Sequence, residues 1–319
     1  METILVTGAN GQIGSELVDM LRQRHGLEAV VGLDLHPAHE SSAPGPHVTA
    51  DVRDKAALHE VIATRDIDTV YHLASLLSAT GEQHPDRAWD VNMNGLKHIL
   101  DLAREHSLKL FWPSSIAVFG PSTPRHDTPQ ETVLNPTTMY GITKRSGELL
   151  CRYYHQRHGV DVRSLRYPGL ISHQTEPGGG TTDYAIDMYR AAARGTAYTC
   201  YLRPDTRLPM MYMPDAIRAT LRLMEAEPGA LSVRDSYNLT AFSFSAGELA
   251  AHLREHAAEG FAVSYDPDDR QSIADNWPAT IDDRAARADW AWQPEYDLDA
   301  MTADMLAHLP KANTQPQHA

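Results

Sequence analysis

The stretch Gly8-Ala-Asn-Gly11-Gln12-Ile13-Gly14, set between an apolar run at residues 3–7 and a helical pattern at 14–24, constrains this chain's fold more than any other segment. Three glycines there allow a tight strand-to-helix turn, close approach of backbone to a pyrophosphate, and close packing of helix on strand, with the helix N-terminus facing the phosphates. The spacing is GxxGxxG, a departure from the strict GxGxxG fingerprint, so the trio needs support from its surroundings. Asp34 supplies it. This residue closes the second apolar run about twenty residues past Gly14, where a carboxylate can accept hydrogen bonds from both adenosine ribose hydroxyls. A 2′-phosphate would be repelled there, and Leu35 and His36 bring no arginine to receive one, so NAD is expected over NADP.

Short apolar runs at residues 3–7, 29–34, 46–50, 68–73, 109–113 and 162–167 alternate with helical spacing at 14–24, 55–63, 85–106 and 140–158. Such alternation predicts an α/β fold with a doubly wound parallel sheet. From 169 to 213 the pattern is irregular; a helix at 215–225 and a run at 236–239 can return to the sheet, and further helices are expected at 245–256 and 298–308. The organisation read from this is a dinucleotide-binding Rossmann domain at 1–168, with 214–240 returning to it. A smaller substrate-binding lobe follows at 169–213 and 241–309, and a frayed tail at 310–319.

Two further segments carry chemistry. Tyr140-Gly-Ile-Thr-Lys144 places a phenol and an ammonium four residues apart, on one face of a helix. A tyrosine acting as a base near neutrality must drop about three pKa units, roughly 4 kcal/mol, and the Lys144 cation has the right sign to help. Ser114-Ser115 follows the fifth apolar run, at the carboxyl edge where ligands of open α/β sheets bind. Either segment alone also fits a solvated helix or a strand-end turn; their order on consecutive elements favours the chemical reading.

Composition excludes other classes. With 28 Lys and Arg against 42 Asp and Glu, the formal charge of -14 opposes nucleic acid as a partner. No apolar stretch approaches a membrane span and no tripartite leader precedes the first apolar run, so a cytoplasmic location and no membrane partner are expected. Two isolated cysteines, Cys151 and Cys200, build neither a disulfide framework nor a cysteine zinc site, and the 17 histidines contain no HExxH, so no metal is expected.

On these motifs the chain resembles the extended short-chain dehydrogenase/reductase family along nearly its whole length. The resemblance implies Ser115, Tyr140 and Lys144 as catalytic residues. It implies cofactor contacts from Gly8, Gly11, Gln12, Ile13 and Gly14, from Asp34, from Asp51 and Val52 beside adenine, and from Leu73, Ala74, Ser75, Asn92, Tyr140, Lys144 and Tyr167. Within the family, Arg166-Tyr-Pro-Gly-Leu-Ile-Ser172, Pro177-Gly-Gly-Gly-Thr-Thr-Asp-Tyr-Ala185, Met210-Met-Tyr-Met-Pro-Asp215 and Arg270-Gln-Ser-Ile-Ala-Asp-Asn-Trp-Pro278 most resemble the short-chain type of L-threonine 3-dehydrogenase. That implies an amino-acid substrate held by Ser75, Ser115, Tyr140, Gly179, Thr181, Thr182, Asp183 and Trp277, with Trp277 closing over it.

Two alternatives stay open. A nucleotide-sugar epimerase or dehydratase shares the fold, the glycines and the Tyr-Lys pair, but needs cations for a second diphosphate; Arg203, Arg207 and Arg270 are its candidates. A silent NAD-sensing protein would have no need of Ser115, Tyr140 and Lys144 together. The resemblance further implies a homodimer, for which Leu96, Ile99, Leu100, Leu149, Leu150, Tyr153 and Tyr154 could form a four-helix interface or equally pack beneath the sheet.

Overall fold

The computed structural model describes residues 2–38, 44–175 and 178–310. Its first six strands are β1 (Ile4–Thr7), β2 (Val30–Asp34), β3 (His47–Thr49), β4 (Thr69–His72), β5 (Lys109–Ser115) and β6 (Asp161–Tyr167). There follow β7 (Gly169–Ile171), β8 (Ala197–Cys200), β9 (Arg207–Tyr212), β10 (Tyr237–Asn238), β11 (Phe242–Ser245) and β12 (Ala262–Tyr265).

Seven of them form a parallel sheet in the order β10-β6-β5-β4-β1-β2-β3. Each strand of its centre is buried on both faces, hence the continuous apolar runs in the sequence. Alternation within β1 divides the core: Ile4 and Val6 pack with Leu17, Val18 and Leu21 of the Gln12–His25 helix and with the Met213–Glu225 helix. Leu5 points the other way, to the Lys55–Thr64, Gly95–His106 and Met139–His158 helices. The chain winds outward from β1 to β3, then crosses back to β4. The β1/β4 junction is therefore the topological switch point, where open α/β sheets bind ligands.

Several boundaries differ from those read in the sequence. The helix expected at 85–106 is Pro85–Trp89 and Gly95–His106 joined by a π-helical turn, Asp90–Asn94, a form that often marks a functional site. Residues 169–213, expected to be irregular, hold β7, β8, β9 and the Tyr184–Arg194 helix. That helix was hidden because its apolar face, Tyr184, Ile186, Met188 and Tyr189 among alanines, is buried nearly all round. β9 pairs parallel with β7 and antiparallel with β11 in a second sheet, and the run at 236–239 reaches the main sheet only through Tyr237 and Asn238. The tail expected to fray lies, from residue 311 onward, outside the described residues. Among the described residues no helix is long and apolar enough to cross a membrane.

Of the seven side chains offered for a dimer interface, Leu96, Ile99, Leu100 and Tyr154 are instead buried beneath the sheet. They complete a core a parallel sheet must cover on that face, which removes them from any outer surface. Leu149 and Tyr153 stay exposed, together with Ile142 on the same helix and Trp89 at the end of the Pro85–Trp89 helix.

Candidate active site

Gly8 stands one residue beyond β1 with φ +72, where a Cβ would meet the backbone nitrogen of Ala74 at 2.7 Å. At Gly14 a Cβ would lie 2.0 Å from the carbonyl oxygen of Gly8. Gly11 meets only that same oxygen, at 3.2 Å, and lines a groove of about 710 Å³ with Ala9, Asn10, Gln12 and Ser15. A cradle a side chain would fill, next to a helix N-terminus and a buried Gln12 Nε2 with no partner among the described residues, fits a dinucleotide. Asp34 touches the loop directly, its Oδ2 accepting from Asn10 N at 3.0 Å.

A second cavity, about 140 Å³, shares Gln12 and Leu77 with the groove. Ile13, Leu73, Ser75, Ser115, Tyr140, Lys144 and Tyr167 all line it, as do Thr181, Thr182, Asp183 and Trp277. Residues from seven separate chain segments thus meet at one place. Gly179 sits in the adjoining loop, while Asp51 and Val52 border neither space. The Asp51 carboxylate is bound by Arg53 at 2.6 Å, which holds its pKa below the usual range, and Val52 is buried against Gly95.

β5 runs two residues further than read from the sequence and ends on Ser115, whose Oγ accepts from Ala117 N at 3.2 Å. The turn that follows packs so closely on the Met139–His158 helix that a Cβ at Gly141 would lie 2.2 Å from Ala117 O. This contact brings Tyr140 beside Ser115. Lys144 Nζ donates to Pro113 O at 2.8 Å and lies 5.5 Å from the Tyr140 ring centroid. Asn92, on the π-helical turn, accepts from Leu76 N at 2.8 Å and donates to Thr143 Oγ1 at 3.1 Å, tying the loop after β4 to the helix of Tyr140.

The electrostatics differ from expectation. Burial pushes the Tyr140 phenol up to about 12 against the opposing hydrogen bond of Ser115, and pushes Lys144 down to about 7. In the protein alone, desolvation of the phenol outweighs the Ser115 hydrogen bond that favours the phenolate.

Asp183 is turned back on its own loop, Oδ2 accepting from Gly179 N at 2.9 Å and Gly180 N at 2.7 Å. Thr181 Oγ1, by contrast, is buried with no hydrogen-bond partner among the described residues, which leaves its hydroxyl for a ligand. Trp277 is already packed in the core beside the cavity. The three arginines kept for a diphosphate are each engaged: Arg203 with Asp275 at 2.7 Å, Arg207 with Glu248, and Arg270 with Asp268 while stacked on Tyr201.

Two groups escaped the sequence reading. Glu148 and Arg166 form a buried ion pair at 2.7 Å that joins the Met139–His158 helix to β6, and Ser114 Oγ donates to Glu148 at 2.7 Å. Glu16, buried on the first helix, accepts from Ser172 Oγ, and burial raises its carboxyl to about 7. No local pattern announces either, because each pair closes only in the folded chain.

Residues 4–239 match the NAD dependent epimerase/dehydratase family. The chain belongs to that family. An uncharacterized epimerase/dehydratase of Staphylococcus saprophyticus is 50% identical over 309 residues, 96% of each chain. The holo form of an L-threonine dehydrogenase from Cupriavidus necator is 54% identical at TM-score 0.93, covering 96% of this chain and 99% of that one. A monomeric L-threonine 3-dehydrogenase of metagenomic origin is 48% identical at TM-score 0.92, covering 96% and 98%. Membership accounts for the parallel sheet and the glycine cradle, and it makes NAD the cofactor of this family member. It leaves the reaction open, since epimerases, dehydratases and dehydrogenases place different substrates over one cofactor.

Proposed function

We propose that this protein oxidises L-threonine at its hydroxyl-bearing Cβ to 2-amino-3-oxobutanoate. The observation that carries the reading is the small cavity where Ser115, Tyr140 and Lys144 face the loop of Thr181, Thr182 and Asp183. Among the described residues lining it Lys144 is the one cation, a poor setting for a nucleotide-sugar diphosphate and a sufficient one for an amino acid. The similarity to the threonine dehydrogenases of Cupriavidus necator and of the metagenome supports the same substrate. The curated relatives, named only as uncharacterized epimerases/dehydratases, favour an epimerase or dehydratase as the second reading; if its substrate were a nucleotide sugar, the three engaged arginines stand against it.

Bound NAD would accept the hydride, and its oxidised ring would add positive charge to the cavity. Gly8, Gly11, Gly14 and Asp34 would hold it. Ser115 orients the substrate hydroxyl, Tyr140 takes its proton, and Thr181 offers its free Oγ1 to the amino-acid end. Lys144 bonds the Pro113 carbonyl, which keeps its ammonium at the foot of the cavity. We assign residues 1–168 and 214–240 to the cofactor and 169–213 with 241–309 to the substrate, in a cytoplasmic enzyme. A homodimer would use Trp89, Ile142, Leu149 and Tyr153, and sedimentation velocity distinguishes it from a monomer.

Tyr140→Phe keeps the ring and removes the proton acceptor. Threonine-dependent NADH formation should fall by about 10² to 10⁴, with NAD binding by calorimetry unchanged. Because the active form is the deprotonated phenol and burial holds its pKa high, the wild-type rate should climb with pH throughout the neutral and alkaline range. Near-native turnover by the variant, or a rate that falls with pH, would assign the base elsewhere.

A further inference from the structure

Away from the cavity, the segment that leaves β7 meets the end of the C-terminal helix Leu298–His308. His173, Asp304 and His308 each offer one ligand atom there, and these atoms lie within 4.8 Å of one another. Asp304 and His308 are four residues apart on one helix, hence on one face. The His173 and His308 rings stack with centroids 4.5 Å apart and an interplanar angle of 21°.

We propose that His173, Asp304 and His308 bind a divalent transition ion of the zinc class, in a site separate from the catalytic cavity. Two imidazoles and a carboxylate are ligands that zinc accepts with a fourth position left to solvent, and His308 is exposed on that side. A nitrogen-rich set of this kind disfavours Mg²⁺ and Ca²⁺, which want oxygen. Tetrahedral zinc needs ligand atoms roughly 3.3 Å apart, given bonds of about 2.0 Å, so the cluster has to tighten. The residue best placed to move is His308, in the last helical turn.

The surrounding hydrogen bonds already orient the ligands. Tyr212 Oη donates to Asp304 Oδ2 at 2.5 Å, so its single proton is used, and the 2.8 Å contact between Tyr212 Oη and His173 Nδ1 must be donated by the imidazole. His308 Nδ1 donates to the Asp304 carbonyl at 2.9 Å. In the neutral form each ring therefore carries its proton on Nδ1 and its lone pair on Nε2, and the Nδ1 partner is the kind of second-shell contact that metal-ligating histidines commonly have.

An ion here would pin the C-terminal helix to residues 172–175. Ser172 of that segment is bonded to Glu16 of the first helix, and Gln174 and Thr175 line the cofactor groove. No local pattern points to the site, because 130 residues lie between His173 and Asp304 and neither stands in a recognised metal motif.

Tag-free full-length protein titrated calorimetrically with ZnCl₂ should bind one ion per chain, and Zn²⁺ but not Mg²⁺ should raise its melting temperature. His308→Ala, a change at an exposed helix end, should abolish that binding and leave NADH formation in chelator-treated protein at the wild-type rate. Tyr212→Phe keeps all three ligands and should weaken affinity by about 10- to 100-fold. Absence of saturable Zn²⁺ binding, or equal binding by wild type and His308→Ala, would overturn the proposal.

Discussion

At Gly14 an added Cβ would lie 2.0 Å from the carbonyl oxygen of Gly8, whereas at Gly179, with φ +87, it would meet nothing within 4 Å. Gly14 stands in the first turn of the helix that follows the β1 loop, and Gly179 stands in the loop between β7 and the Tyr184–Arg194 helix, yet the two strand-to-helix connections are held by different means. The first closes on its own backbone and on Ala74, so its shape follows from the absence of side chains. The second is held by side chains: Asp183 accepts from two of its amides, and Tyr201 Oη, beneath the Arg270 guanidinium, donates to Gly180 O at 3.3 Å. A backbone cradle suits a cofactor every family member shares. A loop tied by replaceable side chains suits the part of the site that differs between members.

Replacing Gly14 by Ala should break the first loop outright, since backbone rather than a flexible side chain stands in the way. The expected cost is on the order of 3 kcal/mol or more, with NAD binding lost in calorimetric titration. Retained NAD affinity would show that the cradle is looser than its contacts imply. Thr181→Val should act on the substrate side alone, lowering kcat/KM for threonine by about ten- to a hundredfold through loss of one buried hydrogen bond, with the NAD dissociation constant unchanged.

The link between the loops can be tested through Glu16, which follows the first and bonds Ser172 ahead of the second. A carboxyl raised from 4.5 to about 7 binds a proton in the folded chain that the unfolded chain has released, so stability falls as pH rises through that window. The full shift is worth about 3 kcal/mol at pH 8. Glu16→Gln carries no charge and can still accept from Ser172; its melting temperature should exceed the wild type's at pH 8 and converge with it towards the ordinary carboxylate range. Parallel pH profiles would contradict this. The smallest effect belongs to Gly179→Ala, about 1 kcal/mol for a left-handed backbone in open space, with no change in NAD affinity.

The same contrast governs what the sequence makes legible. β1 through β6, the cradle and the Tyr140–Lys144 spacing rest on local rules of period, turn and helix face, and the structure places them close to where those rules put them. Thr181 and Asp183 could be picked out, but not their division of labour: only the fold shows that Asp183 is spent on the loop while Thr181 Oγ1 is left free. The Glu148–Arg166 pair, the β7–β9–β11 sheet and the inward packing of Leu96, Ile99 and Leu100 depend on partners distant in sequence, where no periodicity reaches. The high phenol pKa of Tyr140 was hidden for a related reason, since desolvation is a property of everything packed around the ring.

The most direct test is a substrate panel on the purified wild-type enzyme with NAD, following NADH absorbance with L-threonine, L-serine and 3-hydroxybutyrate, and epimerisation or dehydration of the sugar with UDP-sugars. The account predicts NADH formation with L-threonine, little with 3-hydroxybutyrate, which lacks the amino group, and no change in the UDP-sugars. Interconversion of UDP-sugars with threonine left untouched would contradict it.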